Sequence, residues 1–168
     1  MGYLIPAKEL TTEDIKKLRQ MALSMLEASI RAQGDDPANY IIRDILPSTD
    51  LGFTNEEWKI TYSAAYTEET HVNTQLGART HVVFYGYANN SPDPKTLYIV
   101  FRTPGAVKDK VQVEKVYPLM EPVGYFKEPI KFGSKETMQI VFYGKATGDD
   151  YPVLLGLIAE PKGQQIAG

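Results

Sequence analysis

The side chains best suited to chemistry lie close together in the sequence, between positions 71 and 81. Five polar residues in this stretch have the same parity: His71, Asn73, Gln75, Arg79 and His81. If the stretch forms one strand without a bulge at Gly77, all five point from one face of a sheet, because alternate residues of a strand share a face. Such a row can hydrogen-bond to a sugar, a peptide or another protein subunit. A solvated strand face is the commoner explanation of such a row, and our hypothesis is a contact with another subunit.

The rest of the sequence offers little for catalysis or metal binding. The chain has no cysteine and only two histidines, which would lie about 33 Å apart along one extended strand. They cannot share a metal ion unless the chain folds back. The adjacent acids Glu68-Glu69 and Asp149-Asp150 would point to opposite faces of their strands. We therefore predict no catalytic residue, cofactor or metal. An enzyme would need a cleft that brings His71 or His81 to a carboxylate, and this alternative ranks last.

The composition excludes other classes of protein. The 168 residues include 18 Lys and Arg against 21 Asp and Glu, so the chain lacks the basic excess typical of nucleic-acid binding. The first six residues show no basic segment before an apolar core, and no stretch approaches the roughly 18 apolar residues of a membrane span. We expect no signal peptide, no nucleic-acid partner, no membrane partner, and assembly in the cytoplasm.

The front of the chain has the pattern of helices. Thr11 and Asp14 form an approximate capping box, and the apolar residues that follow recur with a 3.6-residue period. The pattern predicts an amphipathic helix that ends near Gly34. An acid followed by proline then predicts a second, shorter helix over residues 36–46.

From residue 58 onward the apolar period changes to two, which indicates strands. The predicted strands are 58–66, 71–79, 82–87, 97–102, 111–117, 130–132, 138–143 and 153–159. Turn-forming residues separate them. We predict a mainly β fold, an antiparallel β-sandwich or jelly-roll-like body of about seven to eight strands with an N-terminal helical segment. The predicted organisation is an N-terminal arm with two helices (1–47), a connector (48–57) and a β-sandwich domain (58–168).

One short string occurs twice in the predicted β-body. Residues 83–88 (VFYGYA) and 141–146 (VFYGKA) match at five of six positions. The match either reflects a pseudo-symmetric sandwich with equivalent central strands, or a β-rich chain that reuses valine-aromatic strings ending at a glycine bulge. The second interpretation is favoured, because the flanking residues do not continue the match.

The first helix and the aromatic residues suggest how the chain meets a partner. The helix can pack on its own sheet, lie on a membrane or dock on a partner, with Met21 and Met25 as adaptable contacts in the last case. Aromatic residues make up 11% of the chain, and tyrosine is favoured at protein interfaces. We predict a protein interface, and the alternative is a β-sandwich module that binds carbohydrate or another ligand.

The chain resembles structural proteins of virus particles. The resemblance rests on the helical segment Thr11–Leu46, the cysteine-free β-body, the segment 124–132 (GYFKEPIKF) and the ending 154–161 (LLGLIAEP). In these features the chain looks like an auxiliary capsid protein, a cement or decoration protein, of a tailed phage. That resemblance implies a non-enzymatic protein of the virion that stabilises neighbouring shell subunits. Its implied partners are the major capsid protein or other virion proteins, and its implied state is a homo-oligomer or a lattice-bound chain.

Overall fold

The computed structural model describes residues 2–163, and it is mainly β. Within this range there are two α-helices, α1 (Thr12–Ala32) and α2 (Pro47–Leu51). The eleven strands are β1 (Leu4–Pro6), β2 (Tyr40–Asp44), β3 (Ile60–Tyr62), β4 (Thr67–Gln75), β5 (His81–Asn89), β6 (Thr96–Thr103), β7 (Ala106–Gln112), β8 (Val123–Phe132), β9 (Thr137–Gly144), β10 (Gly148–Asp150) and β11 (Pro152–Pro161).

The strands form two large antiparallel sheets that pack face to face. One sheet has five strands in the order β1-β8-β5-β11-β2, and the other has four in the order β4-β9-β6-β7. A short ribbon of β10 and β3 accompanies them. Helix α1 packs on the side of the five-stranded sheet that faces away from the four-stranded sheet. The described chain is therefore a sandwich with a helix on one outer side, which confirms the predicted fold class.

The main core lies between the two sheets and is rich in phenylalanine. Phe84 of β5 contacts Phe101 of β6 across the sandwich, with 5.3 Å between ring centroids. Phe132 and Phe126 of β8 meet these two rings edge-on. All four side chains are buried, so the aromatic cluster joins the two sheets.

Helix α1 begins where the sequence predicts. The Thr11 hydroxyl accepts a hydrogen bond from the Asp14 N–H, and the Asp14 carboxylate accepts one from the Thr11 N–H, which completes a capping box. The helix buries Ala22, Leu26 and Ile30 against β5 and its neighbours. Packing on its own sheet is therefore the observed position of the predicted amphipathic helix.

The predicted second helix over residues 36–46 is wrong. The Asp36 carboxylate does accept a hydrogen bond from the Ala38 N–H, but the turn that it caps is only the 3₁₀-helix Pro37–Asn39. The following Tyr-Ile-Ile run forms β2, because aromatic and β-branched side chains favour a strand and β11 offers a paired edge. Residues 1–47 thus supply β1 and β2, the two edge strands of the five-stranded sheet.

Some predicted strands also have different limits. The strand predicted for 58–66 is only Ile60–Tyr62, and the one predicted for 111–117 lies earlier, at Ala106–Gln112. The strand predicted for 130–132 is the end of a longer strand, β8. Residues 164–168 of the predicted β-domain lie outside the described residues.

A buried carboxylate holds together the turns at one end of the sandwich. Asp150 accepts hydrogen bonds from the Thr96 N–H at 2.9 Å and from the Thr96 hydroxyl at 2.7 Å. It also accepts one from the Asn89 side-chain amide, and it is fully buried. From the sequence, Asp150 is recognised only as one of two adjacent acids, because nothing local shows that two distant segments close over this residue.

Candidate protein-binding face

The structure separates the five polar residues that the sequence placed on one strand face. Strand β4 ends at Gln75 and β5 begins at His81, in a different sheet. A bulge removes His71 from the register of β4, so only Asn73 and Gln75 keep the predicted parity. Arg79 lies in the connecting turn. The prediction of one continuous strand face is wrong, and its residues occupy four different surroundings.

Asn73 and Gln75 belong to the side of the four-stranded sheet that points away from the main core, which we call the outer face. Its side chains form three rows across the strands β4, β9, β6 and β7. The rows are Glu68–Tyr143–Tyr98–Gln112, Thr70–Val141–Val100–Lys110 and Asn73–Gln139–Arg102–Val107. No other helix or strand within residues 2–163 packs over these rows.

Aromatic rings stack along the first row of the outer face. The rings of Tyr98 and Tyr143 are nearly parallel, at 14°, with centroids 4.4 Å apart. The Lys110 ammonium lies 4.2 Å from the centroid of Tyr98, and the exposed Tyr66 leans against Tyr143. By strand order, Lys110 and Tyr66 lie at opposite ends of this stack. Both faces of Tyr98 and one face of Tyr143 are therefore already occupied.

Hydrogen bonds link the polar side chains of the outer face. The Tyr98 hydroxyl donates to the Glu68 carboxylate at 2.8 Å, and burial together with this bond raises the pKa of Tyr98 to about 12. Arg102 Nε donates to the Gln139 side-chain oxygen at 3.1 Å. The phenol remains protonated at neutral pH, so the outer face keeps a fixed pattern of donors and acceptors.

Both edges of the four-stranded sheet are partly closed to another strand. On β4 the bulge at His71 interrupts the ladder, and on β7 another register shift lies between Phe101 and Arg102 of the neighbouring β6. In addition, the Gly2 N–H donates to the Lys110 carbonyl at 3.1 Å. Such devices oppose the addition of a strand, so a partner would meet the side chains of the outer face.

His81 lies buried beneath α1. Its Nε2 donates to the Gln33 side-chain oxygen at 2.8 Å, and its Nδ1 accepts from the Ser29 hydroxyl at 2.7 Å, a tautomer assigned from the amide oxygen. Desolvation, and then the nearby Lys131, hold the pKa of His81 below its usual value. In this position His81 fastens the end of α1 to β5 and has no surface for another subunit.

Arg79 also makes contacts within the chain. Its Nε donates to the Asp35 carboxylate at 3.2 Å, and its guanidinium lies 5.6 Å from the centroid of the Tyr40 ring. The Tyr40 hydroxyl donates to the same carboxylate at 2.6 Å, which holds the pKa of Asp35 below its usual value. Arg79 is still exposed, so a role in an interface remains a prediction for this residue.

His71 lies at the β4 bulge, beside a cavity of about 380 Å³ bordered by residues 52–61. Its ring meets Tyr62 and Phe142 edge-on. Nε2 is buried without a hydrogen-bond partner in the described chain, 3.5 Å from a carboxylate oxygen of Glu69. Desolvation outweighs the attraction of Glu69 and lowers the pKa of His71. A neutral imidazole beside a carboxylate and a cavity is the arrangement that the enzymatic alternative requires.

The two methionines predicted as contacts lie along one flank of α1. Met21 is exposed and Met25 is partly buried, and neither belongs to the apolar cluster that packs α1 on its sheet. Both remain predictions as partner contacts. Sequence reasoning missed Tyr98 and Tyr143. Alternation along their strands shows that both side chains point away from the core, but it does not show whether a helix packs over that side of the sheet.

The fold and this face together define a β-sandwich protein with one exposed side built from tyrosines, amides and opposite charges. Comparisons with protein-family models, with curated proteins and with solved structures found no match to the chain. In the described range, no three His, Asp or Glu side chains converge as a metal ion would need. Nor is any helix of that range long and apolar enough to cross a membrane.

Proposed function

We propose that this chain is a non-enzymatic assembly protein that binds neighbouring protein subunits through its outer face. The resemblance of its sequence to auxiliary capsid proteins points to a class of partner, which is a protein subunit of a tailed-phage virion, either the major capsid protein or another virion protein such as a second copy of this chain. In this function the outer face stabilises contacts between subunits and performs no chemical step.

The chemistry of the outer face is the observation that carries the proposal. The stacked Tyr98 and Tyr143 lie beside the middle row, whose Val100 and Val141 are buried, and amides and charged groups lie around these four residues. Protein interfaces have this arrangement of an apolar centre and a polar rim, with tyrosine and arginine enriched. The amides Asn73, Gln75 and Gln139 offer both donors and acceptors to a partner.

The same geometry favours a protein partner over a sugar. A carbohydrate platform presents open ring faces, on which a sugar can stack. Here Tyr98 and Tyr143 cover one face of each other, Lys110 covers the other face of Tyr98, and Tyr66 lies tilted at 55° beside Tyr143. The rings present mainly their edges, which suits the side chains of a protein surface better than the flat face of a sugar.

Lysine acetylation of assembled particles tests this function. Virus particles are purified from cultures of the organism whose genome carries the gene, and the chain within them is labelled in parallel with the free chain. The free chain is diluted to about 0.1 µM, so that it makes no contact with other copies. Lys110 on the outer face is expected to react at least about tenfold more slowly in the particle. Lys16, which is 68% exposed on α1, serves as the control. Absence of the chain from the particles, or equal labelling of Lys110 in both states, contradicts the proposal.

A second candidate function rests on the cavity beside His71. The cavity has a volume typical of small-molecule sites, and His71 supplies a neutral ring to a polar ligand. The ring resonances of His71 can be followed by NMR while monosaccharides are added at millimolar concentration. Saturable shifts of the His71 ring and of the backbone amides of residues 52–61, with the amide shifts lost in a His71→Phe variant, would favour a ligand-binding module. Unchanged resonances in the wild type would remove this candidate.

A further inference from the structure

Charge is distributed unevenly across the outer face. Glu68 lies on β4 at one edge of the sheet, and Lys110 lies on β7 at the opposite edge. Arg102 on β6 adds a second positive charge on the side of β7. Both Glu68 and Lys110 are exposed. The face therefore has an acidic edge and a basic edge, separated by the tyrosine stack.

This distribution is self-complementary under one rotation. Consider a two-fold axis that is parallel to the strands and lies between two stacked outer faces. Rotation about it reverses the strand order β4-β9-β6-β7 of one copy relative to the other. It brings β4 of one copy over β7 of the other, so Glu68 of each copy lies over Gln112 of the other. Lys110 belongs to the next row, but its ammonium reaches the Tyr98 ring of the first row and is therefore close to Glu68 of the other copy. Under the same rotation Tyr143 of each copy lies over Tyr98 of the other, because these residues are neighbours in the first row and belong to the two central strands.

We propose that the outer face binds a second copy of this chain in a symmetric dimer, with the two-fold axis parallel to the strands. The inference rests on the proposed function, since it names the partner of the same face. An axis perpendicular to the strands would stack β4 on β4 and place like charges together, which is unfavourable. The two-fold contact is isologous, so each charge pair occurs twice.

The area of the outer face indicates how tightly the two copies should bind. Four strands spaced about 4.8 Å apart, with eight residues rising about 3.4 Å each, give roughly 500 Å² on each copy and about 1,000 Å² in total. This area lies at the lower limit for a specific interface. We therefore expect a dimer that dissociates in the micromolar range, from about 1 to 500 µM.

Charge exchange tests the geometry of this dimer. Sedimentation equilibrium measures the dissociation constant of the wild type, Glu68→Lys, Lys110→Glu and the double variant that carries both changes. Each single variant is expected to weaken the dimer by about tenfold or more, because it places like charges together at two contacts. The double variant restores it. A mixture of the two single variants forms a heterodimer, since each copy then carries one uniform sign.

A matched exchange on α1 provides the control. Glu13→Lys with Lys16→Glu reverses an exposed ion pair far from the outer face and should leave the dissociation constant within about twofold. Thermal unfolding by circular dichroism verifies that every variant is folded.

Three outcomes overturn the inference. They are a wild type that stays monomeric to about 500 µM, single variants that dimerise like the wild type, and a mixture that fails to pair. Failure of the proposed function looks different. A monomeric wild type whose Lys110 is protected in particles removes only the symmetric dimer, whereas an unprotected Lys110 removes the outer face as the binding surface.

Discussion

The repeated string places the same residues in two different environments. In β5 it is Val83-Phe84-Tyr85-Gly86, and in β9 it is Val141-Phe142-Tyr143-Gly144. Both phenylalanines point into the main core and are fully buried. The valine and the tyrosine point outward in both strands. In β5 they are covered by α1, whereas in β9 they lie on the outer face.

The difference shows that a face can be closed in two ways. Under α1, Tyr85 is 7% exposed and stacks with Tyr125 of β8. On the outer face, Tyr143 stacks with Tyr98, and long polar side chains rather than a helix surround the pair. The apolar area of the face under α1 is buried on folding and stabilises the folded chain. On the outer face, part of the side-chain area is still accessible and can be buried by a partner.

Substitution of the two core phenylalanines should have the largest effects. Phe84→Ala and Phe142→Ala are each expected to lower the free energy of unfolding by about 3–5 kcal/mol, because each leaves a cavity in the shared core. Urea denaturation at 25 °C measures both. The two losses should agree within about 1 kcal/mol, and a much smaller loss for Phe142→Ala would show that the two strands are not equivalent toward the core.

Substitution of Tyr85 and Tyr143 should lower the free energy of unfolding by different amounts, because one lies under α1 and the other on the outer face. Tyr85→Ala is expected to cost about 3 kcal/mol under the helix, while Tyr143→Ala costs about 1 kcal/mol on the half-covered outer face. The same urea titrations measure the difference. Equal losses would mean that the outer face is as closed as the face beneath α1. Tyr85→Phe and Tyr143→Phe, which keep the rings, serve as controls.

The glycines that end the two repeated strings, Gly86 and Gly144, are both closely packed against other parts of the chain. A Cβ on Gly86 would lie 2.8 Å from the Gly124 carbonyl oxygen, and one on Gly144 would lie 2.7 Å from the buried Tyr62 ring. Gly86→Ala and Gly144→Ala should each cost about 1–3 kcal/mol through overpacking. Thermal unfolding measures the change. If Gly144→Ala left the thermal stability unchanged while Tyr62→Phe lowered it, the Tyr62 ring would be able to move away from the added methyl group.

The pH dependence of stability should be the smallest effect. Because the pKa of His81 is lower in the folded chain than its usual value of 6.5, the unfolded chain binds more protons as the pH falls through that value. The free energy of unfolding should therefore decrease from pH 7.5 to 5. His71 acts in the same direction. Urea titrations of His81→Gln and His71→Gln should each show a shallower decrease than the wild type, and unchanged slopes would contradict this assignment.

The sequence predicted the parts of the fold that depend on local chemistry. The capping box and apolar stripe located α1, and alternation located β5, β6, β9 and β11. It failed at β2, where a correct start for a helix is followed by residues that pair with a strand more than 110 positions away. The bulge at His71 has no glycine or proline to mark it, so the parity of the polar row could not be followed. Which sheet face lacks a helix is a property of the tertiary fold.

The order of strands in the five-stranded sheet constrains how the chain can fold during synthesis. Strand β2 ends at Asp44, yet its neighbour in the sheet is β11, which ends at Pro161. The same strand also fills the place between β2 and β5. A growing chain on the ribosome therefore carries an unpaired β2 and an open sheet until β11 emerges. Contacts of such long sequence separation form slowly, so closure of the sheet is a late step that follows translation of nearly all the described residues.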